Sequence, residues 1–222
     1  MQRFLRNNGL SLVLLVIFLG TLIGQSITGF QVYNNDQRDH HQPTVAFGMY
    51  LTTGHFVEAV FENWESEFLQ DAAYVILTAY LFQRGSSESK APDKEQAAVD
   101  ADPRASQADP EAPWPVRRGG GWLRLYENSL MLAFLSFFFV AFALHIVGGA
   151  AAYNHEQVMI GGETVSTLQY VGTSQFWFES FQNWQSEFLA LLSIVTLSIV
   201  LRQRGSPESK PVASPHFKTG EE

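Results

Sequence analysis

The chain has no cysteine among its 222 residues. Disulfides, thiolate nucleophiles and cysteine-ligated metals are thereby excluded. Charge is scarce too: 16% of residues are charged, well under the roughly 25% of soluble domains. Lys and Arg number 14 against 22 acids, a net charge of -8, so there is no basic face for a nucleic-acid partner. Also missing are G-x-S-x-G, H-E-x-x-H, a phosphate-cradling loop and the dinucleotide glycine pattern. No residue set arranges a nucleophile, so the reading assigns no catalytic residue, metal ligand or cofactor.

What the chain does have is apolar length. Leu10 to Phe30 is a run without a formal charge, and about 20 apolar residues at 1.5 Å rise cross a bilayer core. Arg3 and Arg6 precede it, as in a signal peptide. The run exceeds the ~7–15 residues of such a segment and no small-residue cleavage site follows, so a retained span is expected. A second run, Ser129 to Ala152, is of similar quality with His145 inside it. Two weaker spans follow from Phe68–Phe82 and Phe188–Leu201, long enough only when Asn63–Glu67 and Asn183–Glu187 are included.

Charge placement argues for all four. On a four-span reading, 13 of the 14 basic residues fall on one side, and only Arg38 on the other. Basic residues collect in cytoplasmic loops, so both termini and the central insert are expected inside. Eleven of the 22 acids lie at the outer side, including Glu58, Glu62, Glu65, Glu67, Asp71 and Glu187.

Shifted by 120 residues, the chain aligns with itself without a gap, giving 32 identities in the 86 positions of residues 5–90. Phe61-Glu62-Asn63-Trp64-Glu65-Ser66-Glu67-Phe68-Leu69 matches Phe181-Gln182-Asn183-Trp184-Gln185-Ser186-Glu187-Phe188-Leu189. Gln83-Arg84-Gly85-Ser86-Ser87-Glu88-Ser89-Lys90 matches Gln203-Arg204-Gly205-Ser206-Pro207-Glu208-Ser209-Lys210. Each unit carries two spans, so the repeats enter from the same side and are parallel, not inverted.

The fold expected is all-α: four transmembrane helices as two tandem parallel repeats of two spans, with amphipathic interfacial helical segments on the outer side. The first repeat is 1–85, with spans about 10–30 and 63–84. Residues 86–121, rich in Pro, Ser, Asp and Gly, read as a disordered cytoplasmic linker. The second repeat is 122–205, with spans about 127–152 and 183–204, and 206–222 is a disordered cytoplasmic tail. Trp122 is an interfacial anchor for the third span, and Trp64 and Trp184 anchor the outer interface.

The segment before span two begins at Thr53 or Gly54 and is expected to run as helix through Arg84, with Gly85 as its left-handed cap. Phe56, Val60, Phe61, Trp64 and Phe68 fall on one helical stripe. Either this segment is continuous with the span, or Asn63 breaks and caps it; both stay open. Asn63 with Glu67, and Asn183 with Glu187, share helix faces. An acid at the edge of the apolar zone is costly and often functional, although one in a first helical turn also favours the helix dipole. Gln25 and His145 occupy matched positions in spans one and three. Together these six side chains form the candidate ion or polar site, against the plainer reading that the pair hydrogen-bonds neighbouring helices.

His55, Glu58, Glu62 and Glu65 lie within an arc of about 80° at 100° per residue. Their matched residues are Gln175, Phe178, Gln182 and Gln185, so the face reads as solvated acid, not a metal site. Gly20-x-x-x-Gly24 is a helix-packing motif. Arg84, Arg202 and Arg204 suit anionic lipid at the cytoplasmic face.

At F-E-N-W-E-S-E-F-L and R-G-S-x-E-S-K the chain resembles an uncharacterised bacterial family of small integral membrane proteins, a domain of unknown function. The resemblance covers Phe4–Lys90 and Arg124–Lys210. It implies an inner-membrane, multi-pass location and no activity. The function expected is a non-enzymatic structural, oligomerising or accessory membrane module, acting in the bilayer as a homo-oligomer or in a larger membrane complex. The alternative is a cation or proton channel or transporter with Glu67 and Glu187 at its outer mouth. A third, weaker reading is an enzyme using His145.

Overall fold

The computed structural model describes residues 2–91 and 98–220. The stretch 92–97 of the linker and the tail's last two residues lie outside the described residues, so the disorder expected there is not addressed. Among the described residues the chain is all-helical. Its helices are α1 (Gln2–Asn7), α2 (Gly9–Asp39), α3 (Phe47–Tyr50), α4 (Gly54–Tyr80), α5 (Trp114–Arg118), α6 (Gly120–Glu127), α7 (Ser129–Ile160), α8 (Thr167–Tyr170) and α9 (Ser174–Leu197).

Two of these, α2 and α7, are long and apolar enough to cross a membrane. At 31 and 32 residues they exceed the ~20 that a bilayer core requires. Neither contains proline, and their interior hydroxyls are satisfied locally: Thr21 bonds the Ile17 carbonyl, Ser26 that of Leu22, and Ser136 that of Leu132. Such back-bonding lets a polar side chain sit in an apolar helix without an external partner.

The question left open at Asn63 is answered by continuity. Helix α4 runs unbroken through Asn63, and α9 through Asn183. Each starts at a threonine cap. The Thr53 hydroxyl accepts from the Phe56 amide and donates to the Tyr50 carbonyl, and Thr173 does the same with Phe176 and Tyr170. The far ends correct the expectation. Helix α4 stops at Tyr80 and α9 at Leu197, not at Arg84 and Arg204. Beyond them the Gln83 and Gln203 amides are taken by the Ser89 and Ser209 hydroxyls, at 3.0 and 2.9 Å. These bonds draw the backbone out of the helix, and the positive-φ glycines Gly85 and Gly205 close a separate turn instead of capping the helix.

In place of a featureless linker, residues 98–106 hold two short 3-10 turns, one capped by the Asp102 side chain. Pro115 sits in the first turn of α5, where its missing N–H costs nothing.

The chain divides into two compact units. Unit one comprises Met1–Phe61 with Ala143–Phe176; unit two comprises Glu62–Phe142 with Trp177–Glu222. In unit one the start of α4 crosses the end of α7 at small residues. A Cβ on Gly54 would lie 2.5 Å from the Ala152 nitrogen, and one on Gly148 would lie 2.7 Å from the Glu58 nitrogen. This close approach is not at Gly20-x-x-x-Gly24, where an added Cβ meets nothing within 4 Å. The expected packing motif has no partner helix within the described chain because it lies on the uncovered stretch of α2.

Candidate functional site

In unit one the polar chemistry gathers around two tyrosines. Tyr50 and Tyr170, both fully buried, sit on α3 and α8 and reach back over Gly29 and Gly149, whose missing side chains leave room for the rings. Each ring meets a second tyrosine, Tyr33 at 5.7 Å and Tyr153 at 5.8 Å, and a phenylalanine, Phe56 at 5.5 Å and Phe176 at 5.6 Å. The loops that deliver α3 and α8 are pinned by asparagines. Asn34 exchanges two hydrogen bonds with the Val45 backbone, and Asn154 two with that of Val165.

The two tyrosines differ in what their hydroxyls meet. Tyr50 faces His55 Nδ1 at 3.4 Å, while Tyr170 donates to Glu58 Oε1 at 3.3 Å. Glu58 and His145 present ligand-type atoms within 4.8 Å of each other. His145 is completely buried, its ring 5.1 Å from that of Phe176. Gln25, its matched residue, instead donates to the Ala59 carbonyl at 3.0 Å, the plain interhelical role.

A third imidazole completes the cluster. His155 Nε2 lies 2.8 Å from Gln37 Oε1 and 3.3 Å from the Tyr33 hydroxyl, and its ring stacks on Tyr33. Tyr33 also packs 5.6 Å from His55, so one phenol lies against both His55 and His155. Burial holds the His55 pKa below its ordinary value; the Asp36 carboxylate pulls upward and the His155 ring downward. Burial likewise raises the Tyr50 phenol and, with Asp36, the Tyr33 phenol. These groups are neutral near pH 7 and suited to hydrogen bonding.

Unit two holds the acids. Glu67, exposed, and Glu187, half-buried, lie within electrostatic range of each other and of Asp71. The pair singled out in the sequence is thus brought together, with a third carboxylate whose matched residue is Leu191. Asn183 turns back to the Glu179 carbonyl on its own helix, and Asn63 to the Glu62 carboxylate; neither bond is to Glu67 or Glu187.

The expectation of a solvated acidic face fails at Glu65. Its side chain is fully buried and accepts from Trp184 Nε1 at 3.1 Å. Trp184 therefore spends its N–H on a buried carboxylate, whereas Trp122 is exposed and packs edge-on against Trp114. Arg202 is not free for lipid: its guanidinium donates to the Ser198, Ile199, Leu201 and Ser214 carbonyls. Arg84 and Arg204 are exposed.

Sequence reasoning missed Tyr50, Tyr170, Gly29 and Gly149, although all four are identities in the 120-residue alignment. It missed the Glu58–Tyr170 contact for a different reason: residue 178, matched to Glu58, is Phe, so the repeat gives no hint of it.

The chain belongs to the family defined by a domain of unknown function designated DUF6766, whose sequence profile matches residues 1–221. No curated protein and no solved structure matches it.

Proposed function

We propose that this family member is a four-span module of the bacterial inner membrane, built of two tandem same-sense repeats with both termini in the cytoplasm, and that its role is non-enzymatic: self-associating or accessory to a larger membrane complex. One observation carries the reading. Along the apolar stretch of α2 the large side chains of Leu10, Val13, Val16, Ile17, Ile23 and Ile27 are among those left exposed by the rest of the chain, and in the most apolar window of α7 only 11% of residues are buried. Apolar area costs about 25 cal/mol per Å² in water, so these faces require lipid or another protein. On α2 that face includes Gly20 and Gly24, a small-x-x-x-small pair with open space above it.

Support for the duplication comes from local geometry repeated at positions 120 apart: the threonine caps and the asparagine clamps recur bond for bond, and each tyrosine ring again lies over a glycine. Support for spans two and four comes from the lengths of α4 and α9, 27 and 24 residues, and from the one-sided distribution of basic residues.

The second reading, a cation or proton path, is favoured by the proximity of Glu67, Asp71 and Glu187. The two readings separate in proteoliposomes. The accessory module predicts no proton or monovalent-cation flux, and unchanged assembly in Glu67→Gln/Glu187→Gln. Flux in the wild type that disappears in the folded double variant overturns it in favour of conduction. Labelling of single cysteines introduced at positions 8 and 212 from the cytoplasmic side tests the topology; opposite sidedness of the two would rule out an even number of spans.

A further inference from the structure

The helix-terminal motif R-G-S-x-E-S-K occurs twice, and its copies fold alike. Gly85 and Gly205 have φ of +87° and +85°. The Gln83 carbonyl accepts from the Ser86 amide, and that of Gln203 from Ser206, both at 3.2 Å. The Ser86 hydroxyl receives the Glu88 amide at 3.1 Å, and that of Ser206 the Glu208 amide at 3.2 Å.

They differ in what lies upon them. The chain's own C-terminal segment covers the first copy. The Gly85 amide donates to the Thr219 hydroxyl at 2.8 Å, and the Ser86 carbonyl accepts from the Gly220 amide at 2.9 Å. A Cβ on Gly85 would come within 2.6 Å of the His216 carbonyl oxygen, so the contact is tight. Gly85, Ser86 and Ser89 are buried beneath it and beside Ser198, whose hydroxyl lies 2.9 Å from that of Ser86.

In the second copy the same two backbone groups, the Gly205 amide and the Ser206 carbonyl, meet no partner among the described residues. A Cβ on Gly205 would find nothing within 4 Å. A recess of about 330 Å³ stands there, lined by Arg204, Gly205, Ser206, Ser209, Lys210 and Val212 among others.

We propose that this recess docks a segment of a partner protein bearing a hydroxyl residue followed by glycine, the chemistry that Thr219–Gly220 brings to the first copy. The donor and acceptor that hold the tail are present in the same turn geometry and are unused. The recess is poorly suited to a free anion, because the Lys210 ammonium is buried and already bonded to the Pro215, His216 and Lys218 carbonyls. Only Arg204 remains as an exposed cation. The inference deepens the accessory-module reading, on which it rests for the existence of a partner.

The test is titration of a fluorescent peptide of residues 211–220 into the full-length protein in detergent micelles. Saturable binding is expected. It should fall about tenfold when the peptide carries valine at the Thr219 position, the equivalent of one hydrogen bond, and be lost in Gly205→Val, which fills the recess without touching the first copy. The peptide variant keeps the test decisive even if Gly205→Val misfolds. Absence of saturable binding, indifference to both changes, or full displacement by inorganic phosphate would each overturn the proposal. Self-association measured on the same sample separates the two ideas. Association without peptide binding removes the docking site alone, and peptide binding to a protein that neither associates nor joins a complex removes the module reading alone.

Discussion

A tyrosine hydroxyl is the smallest unit on which unit one turns. Tyr170 donates to a half-buried carboxylate, so Tyr170→Phe should cost about 1–3 kcal/mol, the range for a hydrogen bond to a charged or buried acceptor. Gly149→Ala should also destabilise, by ~1–3 kcal/mol, since its Cβ would lie 2.5 Å from the Tyr170 hydroxyl and the ring must move. Thermal unfolding in detergent reads both, and a Tyr170→Phe protein as stable as wild type would show that the bond contributes nothing net. His55 adds a pH dependence. Its folded-state pKa is held below 6.5, chiefly by burial, so the unfolded chain binds its proton more tightly. The stability at stake is complete above pH 6.5 and is lost as the pH falls below that value. His55→Gln, which installs the residue found at matched position 175, should flatten the acid limb of the unfolding profile; an unchanged limb would assign it to other groups.

Helices show how far one sequence can speak for its structure. The apolar runs foretold α2 and α7, and the reading placed the start of α4 at Thr53 or Gly54 and a left-handed residue at Gly85, although as a helix cap. The helix ends were misjudged because Ser89 and Ser209 capture backbone amides six residues upstream, a non-helical bond that periodicity cannot register. The burial of Glu65 was illegible for a related reason: its partner, the Trp184 indole, is 119 residues away in the chain, and Gln185 at the matched position gives no sign of it. Within elements the repeat allows a sharper test. Thr53→Val and Thr173→Val each remove an N-cap bond of 3.3 Å, so each should cost about 1 kcal/mol. Their effects should be similar and, in the double variant, close to additive, as for sites without shared partners. Strongly unequal costs in the same unfolding assay would mean that the two starts differ energetically despite their common geometry.

At the scale of the whole chain, the proposed self-associating role would be decided by a difference between residues matched at a shift of 120. Val140 and Leu144 stand where α2 has Gly20 and Gly24, so an open glycine crossing is available at these positions of α2 and not at their counterparts in α7, whose Gly148 is already taken up by α4. One such face per chain favours a closed two-fold pair, the same surface used by both copies, over an open array. In a single chain a Cβ added at either glycine would meet nothing within 4 Å, so Gly20→Ile/Gly24→Ile should leave the fold and thermal stability of the monomer intact. If α2 is the association surface, the substitution should weaken pairing by about tenfold or more, the loss of at least ~1.4 kcal/mol of packing. Energy transfer between labelled copies diluted in lipid measures this directly. Val140→Gly/Leu144→Gly is the counter-test: it exposes backbone on α7 without touching α2 and should leave dimerisation unchanged. A pair that survives isoleucine at both glycines would have to be held elsewhere, and the uncovered apolar face of α2 would then belong to lipid.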